Sequence, residues 1–158
     1  MKSNNTYFSL AFILMIATSQ YKSCTYNATP EYKNISNVSI SDVSLNSVGI
    51  NSKANFYNPN DIGLILKNVE LSVFLNGQPI GSINQTASTA IGAKKEFGIP
   101  LRIQLSQSQL FNAIGGLSGG LSAAFGKSVK IGYRGKITVS KFWIPFTFNF
   151  SQETDMKL

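Results

Sequence analysis

The side chains that most often do chemistry are sparse in this chain. Among its 158 residues there is no histidine and a single cysteine, Cys24. Ser-His-Asp and Cys-His nucleophile arrangements are therefore excluded, as are imidazole-bound zinc, a cysteine-based metal cluster and an intramolecular disulfide. The carboxylates Glu31, Asp42, Asp61, Glu70, Glu96, Glu153 and Asp155 are scattered, with no local pairing of the kind acid–base hydrolysis uses. Gly126-Lys127-Ser128 ends like a phosphate-binding loop. That motif needs a glycine five positions before Gly126, where Leu121 stands, and it runs from strand to helix rather than from helix to strand. The expectation is a protein that is not an enzyme and uses no cofactor or metal.

What chemistry remains is surface chemistry. Lys127 to Lys141 holds Lys127, Lys130, Arg134, Lys136 and Lys141 with no acid between them. Period-two spacing places Lys130, Arg134 and Lys136 on one face of a strand, and Trp143 follows at the next turn. Such a face suits contact with an anionic lipid or polyanion, with Trp143 at the interface. It equally suits a solvated outer face that deters edge pairing. The formal net charge of +7 permits anionic contacts without requiring them.

The N-terminus sets the address. Lys2 is followed by a short apolar run, Tyr7 to Ala17, and then by polar residues up to Cys24. About 11 apolar residues suit the core of a secretory signal and are too few to span a bilayer. Ser23 before Cys24 fits lipoprotein processing, in which the cysteine is acylated and becomes the new N-terminus. Tyr21 and Lys22 depart from the usual pattern there, and cleavage after Ser19 would instead leave a free thiol. The reading adopted is a signal peptide over 1–23, a lipidated polar tether over 24–34 with Cys24 as the attachment point, and one domain over 35–158. Nucleic-acid binding is not expected of an exported chain without interleaved aromatics.

Period two dominates from Ile35 onward. Val38 and Ile40, then Val43 and Leu45, alternate with polar residues, with one change of phase between the pairs. Val48, Ile50, Ala54 and Phe56 share a face, as do Val69, Leu71, Val73 and Leu75. Asn76-Gly77 follows at once, a strong hairpin signal, with a return strand from Gln78 or Ile80 towards Gln85. Phe97, Ile99, Leu101, Ile103 and Leu105 alternate next, then Val129, Ile131, Tyr133, Ile137 and Val139. Ile144, Phe146, Phe148 and Phe150 close the series after a turn near Trp143-Ile144-Pro145. About seven strands of this kind predict a two-sheet antiparallel sandwich.

One segment departs from the pattern. Leu110, Ile114, Leu117 and Leu121 have helical spacing, Ser106 and Gln109 suit a capping box, and Gly126 suits a helix end. Gly115, Gly116, Gly119 and Gly120 weaken the helix by about 1 kcal/mol each relative to alanine, so it relies on packing. It reads as a cover helix lying close on the sandwich, or as a membrane-touching or hinge segment.

Between two strands stands Asn58-Pro59-Asn60. Pro59 fixes its own backbone, removes a ladder donor and biases Asn58 towards an extended conformation. Asn58 and Asn60 can bond nearby backbone, so the triplet reads as a rigid, self-capped corner. "FYNPN" followed by "IGLILKNVELSVFLNGQPIG" resembles late embryogenesis abundant proteins of type 2, which carry the WHy (water stress and hypersensitive response) domain. "FGIPLRIQL" and "KSVKIGYRGKITVSKFWIPFTFNFSQE" are similar to that family's closing strands, with its Tyr-x-Gly and hydrophobic-Pro-Phe features. The likeness runs from Ile35 to about Glu153, and bacterial members are often small lipoproteins.

The resemblance implies a seven-stranded antiparallel sandwich of immunoglobulin or fibronectin type III kind with one α-helix. It also implies a non-enzymatic protein of the bacterial cell envelope, lipid-anchored to a membrane. Such a protein would guard stressed client proteins or membranes in desiccation or related stress. An envelope adaptor for a protein, glycan or anionic lipid is the alternative.

Overall fold

The computed structural model describes residues 28–42, 44, 46–113 and 128–157. These form the strands β1 (Glu31–Ser41), β2 (Ser47–Tyr57), β3 (Leu64–Leu75), β4 (Gln78–Ile91), β5 (Glu96–Ser106), β6 (Ser128–Lys141) and β7 (Ile144–Lys157), with helix α1 (Gln107–Ala113) after β5. One sheet has the order β1-β2-β5 and the other β4-β3-β6-β7, with every pairing antiparallel. The expected sandwich is therefore the fold.

Burial follows the period-two reading closely. Val48, Ile50, Ala54 and Phe56 of β2 are buried, and so are Val69, Leu71, Val73 and Leu75 of β3. β5 contributes Ile99, Leu101, Ile103 and Leu105, and β6 contributes Val129, Ile131, Tyr133, Ile137 and Val139. Towards one pole, rings join the sheets. Phe56 lies 5.4 Å from Phe150 and 6.1 Å from Phe148 across the sheets, and Tyr32 lies 5.6 Å from Phe150; within its own sheet Phe56 stacks on Phe97 at 5.5 Å. Aromatic pairs at such spacings add roughly 0.5–1.5 kcal/mol beyond the area they bury.

Prolines mark the edges. Pro79, Pro100 and Pro145 lie in β4, β5 and β7, each an edge strand, where a missing N–H need not break a ladder. The Asn76-Gly77 hairpin forms as predicted. Leu75 pairs with Gln78, and both turn residues take positive φ, 49° and 81°, as a type I′ turn requires.

Some boundaries differ from the sequence reading. β1 begins at Glu31, within the expected tether, because Tyr32 packs on Phe56 and Phe150. β4 runs on to Ile91, as Leu64 pairs with Ile91; its many Ser, Thr, Asn and Gln residues blur the alternation. Ile144 is 73% exposed, although alternation assigns it to the inner face with Phe146, Phe148 and Phe150. Tyr57, Glu96 and Glu31 end the three-stranded sheet near Phe148 and Phe150. β6 and β7 continue past that limit, carrying Ile144 roughly 20 Å beyond Phe150. The turn itself is Phe142-Trp143, since Lys141 pairs with Ile144.

α1 opens with the predicted capping box. Gln109 N–H donates to Ser106 Oγ at 3.2 Å, and Ser106 N–H donates to Gln109 Oε1 at 2.8 Å. The glycine-rich segment expected to continue the helix lies outside the described residues. So do the signal segment, Cys24, Val43, Leu45, and the Gly126 and Lys127 of the phosphate-loop look-alike.

Candidate functional site

The Asn58-Pro59-Asn60 corner joins β2 to β3, and both of its side-chain amides are bonded within the fold. Asn58 Nδ2 donates to the carbonyls of Ile62 at 3.0 Å and Gly92 at 2.9 Å. Its Oδ1 accepts from Asn60 N at 3.1 Å and from Asn60 Nδ2 at 2.9 Å. A primary amide has two donor hydrogens and two acceptor lone pairs, so Asn58 has nothing left for a ligand. Asn60 in turn clamps the incoming chain: its Nδ2 donates to Ala28 O at 2.8 Å, and its Oδ1 accepts from Ala28 N at 3.0 Å.

The β4–β5 connection closes the same knot. Asn58 N donates to Lys95 O at 2.9 Å, and Lys94 N donates to Asn60 O at 3.2 Å. The Lys94 ammonium donates to Pro59 O and sits 3.2 Å from Asp61. Three separate stretches of chain thus meet at two asparagines. Both asparagines are buried, where an unmet polar group is costly, so the corner is a clasp.

The basic face is built as the alternation predicts, with Lys130, Arg134 and Lys136 exposed on the outer face of β6. Acids stand opposite each of them. Arg134 pairs with Glu153 at 2.9 Å and lies 4.8 Å over the Phe74 ring. Lys130 is in register with Asp155, and Lys136 with Glu70. Trp143 does not join them. It sits at the β6–β7 turn, roughly 40 Å along the strand from Lys130. Lys130 belongs to the other pole, where its N–H donates to Asn76 Oδ1 at 3.0 Å.

Two further features hold β6 in place. Tyr133 OH and Ser52 Oγ lie 2.8 Å apart, buried between the sheets. Burial raises the Tyr133 phenol above its ordinary range, and the Ser52 bond opposes that in part. Gly135 lets β3 approach, since a Cβ there would sit 2.0 Å from Glu70 O. Among the described residues, no group of three or more Asp, Glu, His or Cys side chains gathers as metal ligands would.

The surface feature that alternation missed is apolar. Phe142, Trp143 and Ile144 are 63%, 93% and 73% exposed. The register places this turn at the pole of the clasp: Ile144 pairs with Lys141 and Pro145 with Ser140, Ser140 pairs with Ile65, and neighbouring Leu64 pairs with Ile91 beside Gly92. The signal for it was the run Phe142-Trp143-Ile144-Pro145 itself, too apolar for an ordinary turn.

With the geometry in view, the comparisons with known proteins are informative. None of the curated proteins matches the chain. A solution structure of an Arabidopsis thaliana protein shares 18% identity, covering 87% of this chain and 89% of its own, with a TM-score of 0.65. A crystal structure of a protein from Archaeoglobus fulgidus shares 13%, covering 81% of this chain and 98% of its own, with a TM-score of 0.56. Both likenesses are of fold. A family profile described as late embryogenesis abundant protein (LEA_2) matches residues 53–154, from mid-β2 into β7. That stretch holds the Asn58–Asn60 clasp, Tyr133 and Gly135, and the chain belongs to the LEA_2 family of late embryogenesis abundant proteins.

Proposed function

We propose that this protein is a non-enzymatic, lipid-anchored component of the bacterial cell envelope that protects proteins or membranes in desiccation, freezing or related stress. Family membership over residues 53–154 carries the stress-related part. The address rests on Lys2, the apolar run Tyr7 to Ala17, and Cys24 as the acylated residue.

The geometry supports a structural role for the family's triplet, because the Asn58 side chain is fully engaged inside the fold. Protection would then come from the surface of the sandwich, covering apolar or strand-edge surface on damaged clients.

A freeze–thaw assay on labile enzymes tests this, comparing the protein with an inert β-sandwich at equal mass concentration. Activity retained above the control on two unrelated clients supports the reading. Retention no better than the control on both ends it. The anchor is tested apart, since Cys24→Ser should move the protein out of the membrane fraction.

A further inference from the structure

We propose that the β6–β7 turn, Phe142-Trp143-Ile144-Pro145, is a tip that seats in the interfacial layer of the bilayer to which the N-terminus is anchored. This rests on the envelope reading above and adds to it an orientation and a contact site. All four residues are exposed. Contiguous exposed apolar side chains of this size mark interaction surfaces more often than they mark solvent-facing turns.

Backbone conformation points the same way. Phe142 takes φ +53° in a two-residue hairpin, a position that glycine, asparagine or aspartate fills at least cost. The chain uses that ordinary solution at its other two-residue hairpin, Asn76-Gly77. At the β6–β7 turn Phe142 stands there instead, in a conformation that bulky residues rarely adopt. Strain of this kind gathers at sites that bind.

Position selects the occupant. The tip shares its pole with Ala28, which Asn60 clamps through two hydrogen bonds. Cys24 stands four positions before Ala28, a reach of roughly 14 Å at full extension. An acylated Cys24 would therefore hold this pole, and not the Asn76-Gly77 pole, against the lipid. Trp and Phe favour the water–hydrocarbon boundary, where an apolar ring meets a polar layer. Lys94 of the clasp is held by Asp61. The four tip residues themselves carry no charge, so zwitterionic lipid suffices for the contact.

Trp143 is the chain's one tryptophan, so its emission reports on the tip alone. The full chain is reconstituted with phosphatidylcholine vesicles, floated, and read for emission and for quenching by bromine-labelled acyl chains. A parallel variant, W143Y with Q78W, moves the reporter to the opposite pole, roughly 33 Å away along the strands. The expected result is co-flotation of both proteins, with a blue shift and bromine quenching for the wild type and neither for the variant. Co-flotation with unshifted, unquenched Trp143 overturns the tip while leaving the anchor intact. Equal quenching of both reporters also overturns it. Failure to float overturns the anchored reading and the tip with it. A concentration-dependent blue shift without vesicles would show that a second copy covers the tip, which likewise overturns the proposal.

Discussion

The hydroxyls of Ser52 and Tyr133 meet at 2.8 Å inside the sandwich, one from each sheet. Away from the clasp, the facing strands of the described residues meet through apolar side chains and edge-on or tilted rings, which set distance but tolerate sliding. A buried hydrogen bond does not, because either partner alone would be left unsatisfied.

Tyr133→Phe should therefore destabilise the protein by about 1–2 kcal/mol, since it strands the Ser52 hydroxyl in the core. The double variant with Ser52→Ala should lose less than the sum of the two single changes. Urea unfolding of the four proteins checks this; strict additivity would show that the hydroxyls do not interact.

The same phenol gives an alkaline dependence. Burial raises Tyr133 above its ordinary pKa, so the unfolded chain releases this proton before the folded one does. The stability it contributes is fully present below about pH 10 and is lost as pH rises through the higher folded value. Melting temperature should fall from about pH 10 upward, and Tyr133→Phe should fall less steeply over the same range. Parallel slopes for the two proteins would rule out this phenol as the cause.

How far the sequence could be read depended on the kind of signal. Alternation such as Phe97 to Leu105 states which face of a strand is buried, and those faces are as expected. It does not state which strand lies beside which; Pro79, Pro100 and Pro145 marked only which strands are edges. The corner was legible as a corner, yet its partners Ala28 and Gly92 lie 32 and 34 residues away, beyond any local rule. Ile144 misled because alternation assumes a facing sheet, and β7 outruns its own. Nothing in local propensity points to Phe142 at a positive φ, because propensity argues against it.

Asn58→Asp should be far more damaging than its small change of shape suggests. It removes both donors to Ile62 and Gly92 and buries a carboxylate among carbonyls. A cost of about 3–5 kcal/mol is expected. Pro59→Ala, which acts chiefly through the unfolded chain, should cost about 0.4–1 kcal/mol. Similar losses for the two in chemical denaturation would mean that the corner depends on the proline and not on the amide clasp.

Glycines in this fold are held by two different demands, and substitution separates them. Gly135→Ala places a Cβ 2.0 Å from Glu70 O and 2.9 Å from Leu71 Cα, both backbone atoms that cannot step aside. A loss of about 3 kcal/mol or more is expected. Gly77→Ala meets nothing within 4 Å and suffers only its φ of +81°, so about 1–2 kcal/mol is expected. Thermal melts that reverse this order would show that β3 and β6 separate more readily than their register implies.

The β6–β7 turn offers the opposite sign. Replacing Phe142-Trp143 by the residues of the other hairpin, as F142N with W143G, relieves an aromatic residue held at φ +53° and leaves the Lys141–Ile144 pairing in place. Stability should rise by about 1 kcal/mol. The melting temperature should rise by about 2–8 °C. A gain in stability from deleting two exposed aromatic side chains would be odd in a turn serving the fold alone, since folding surrenders such gains only where another demand acts on the same residues. An unchanged or lower melting temperature would mean that the aromatic pair supports the hairpin, and the strain at Phe142 would then need no function to explain it.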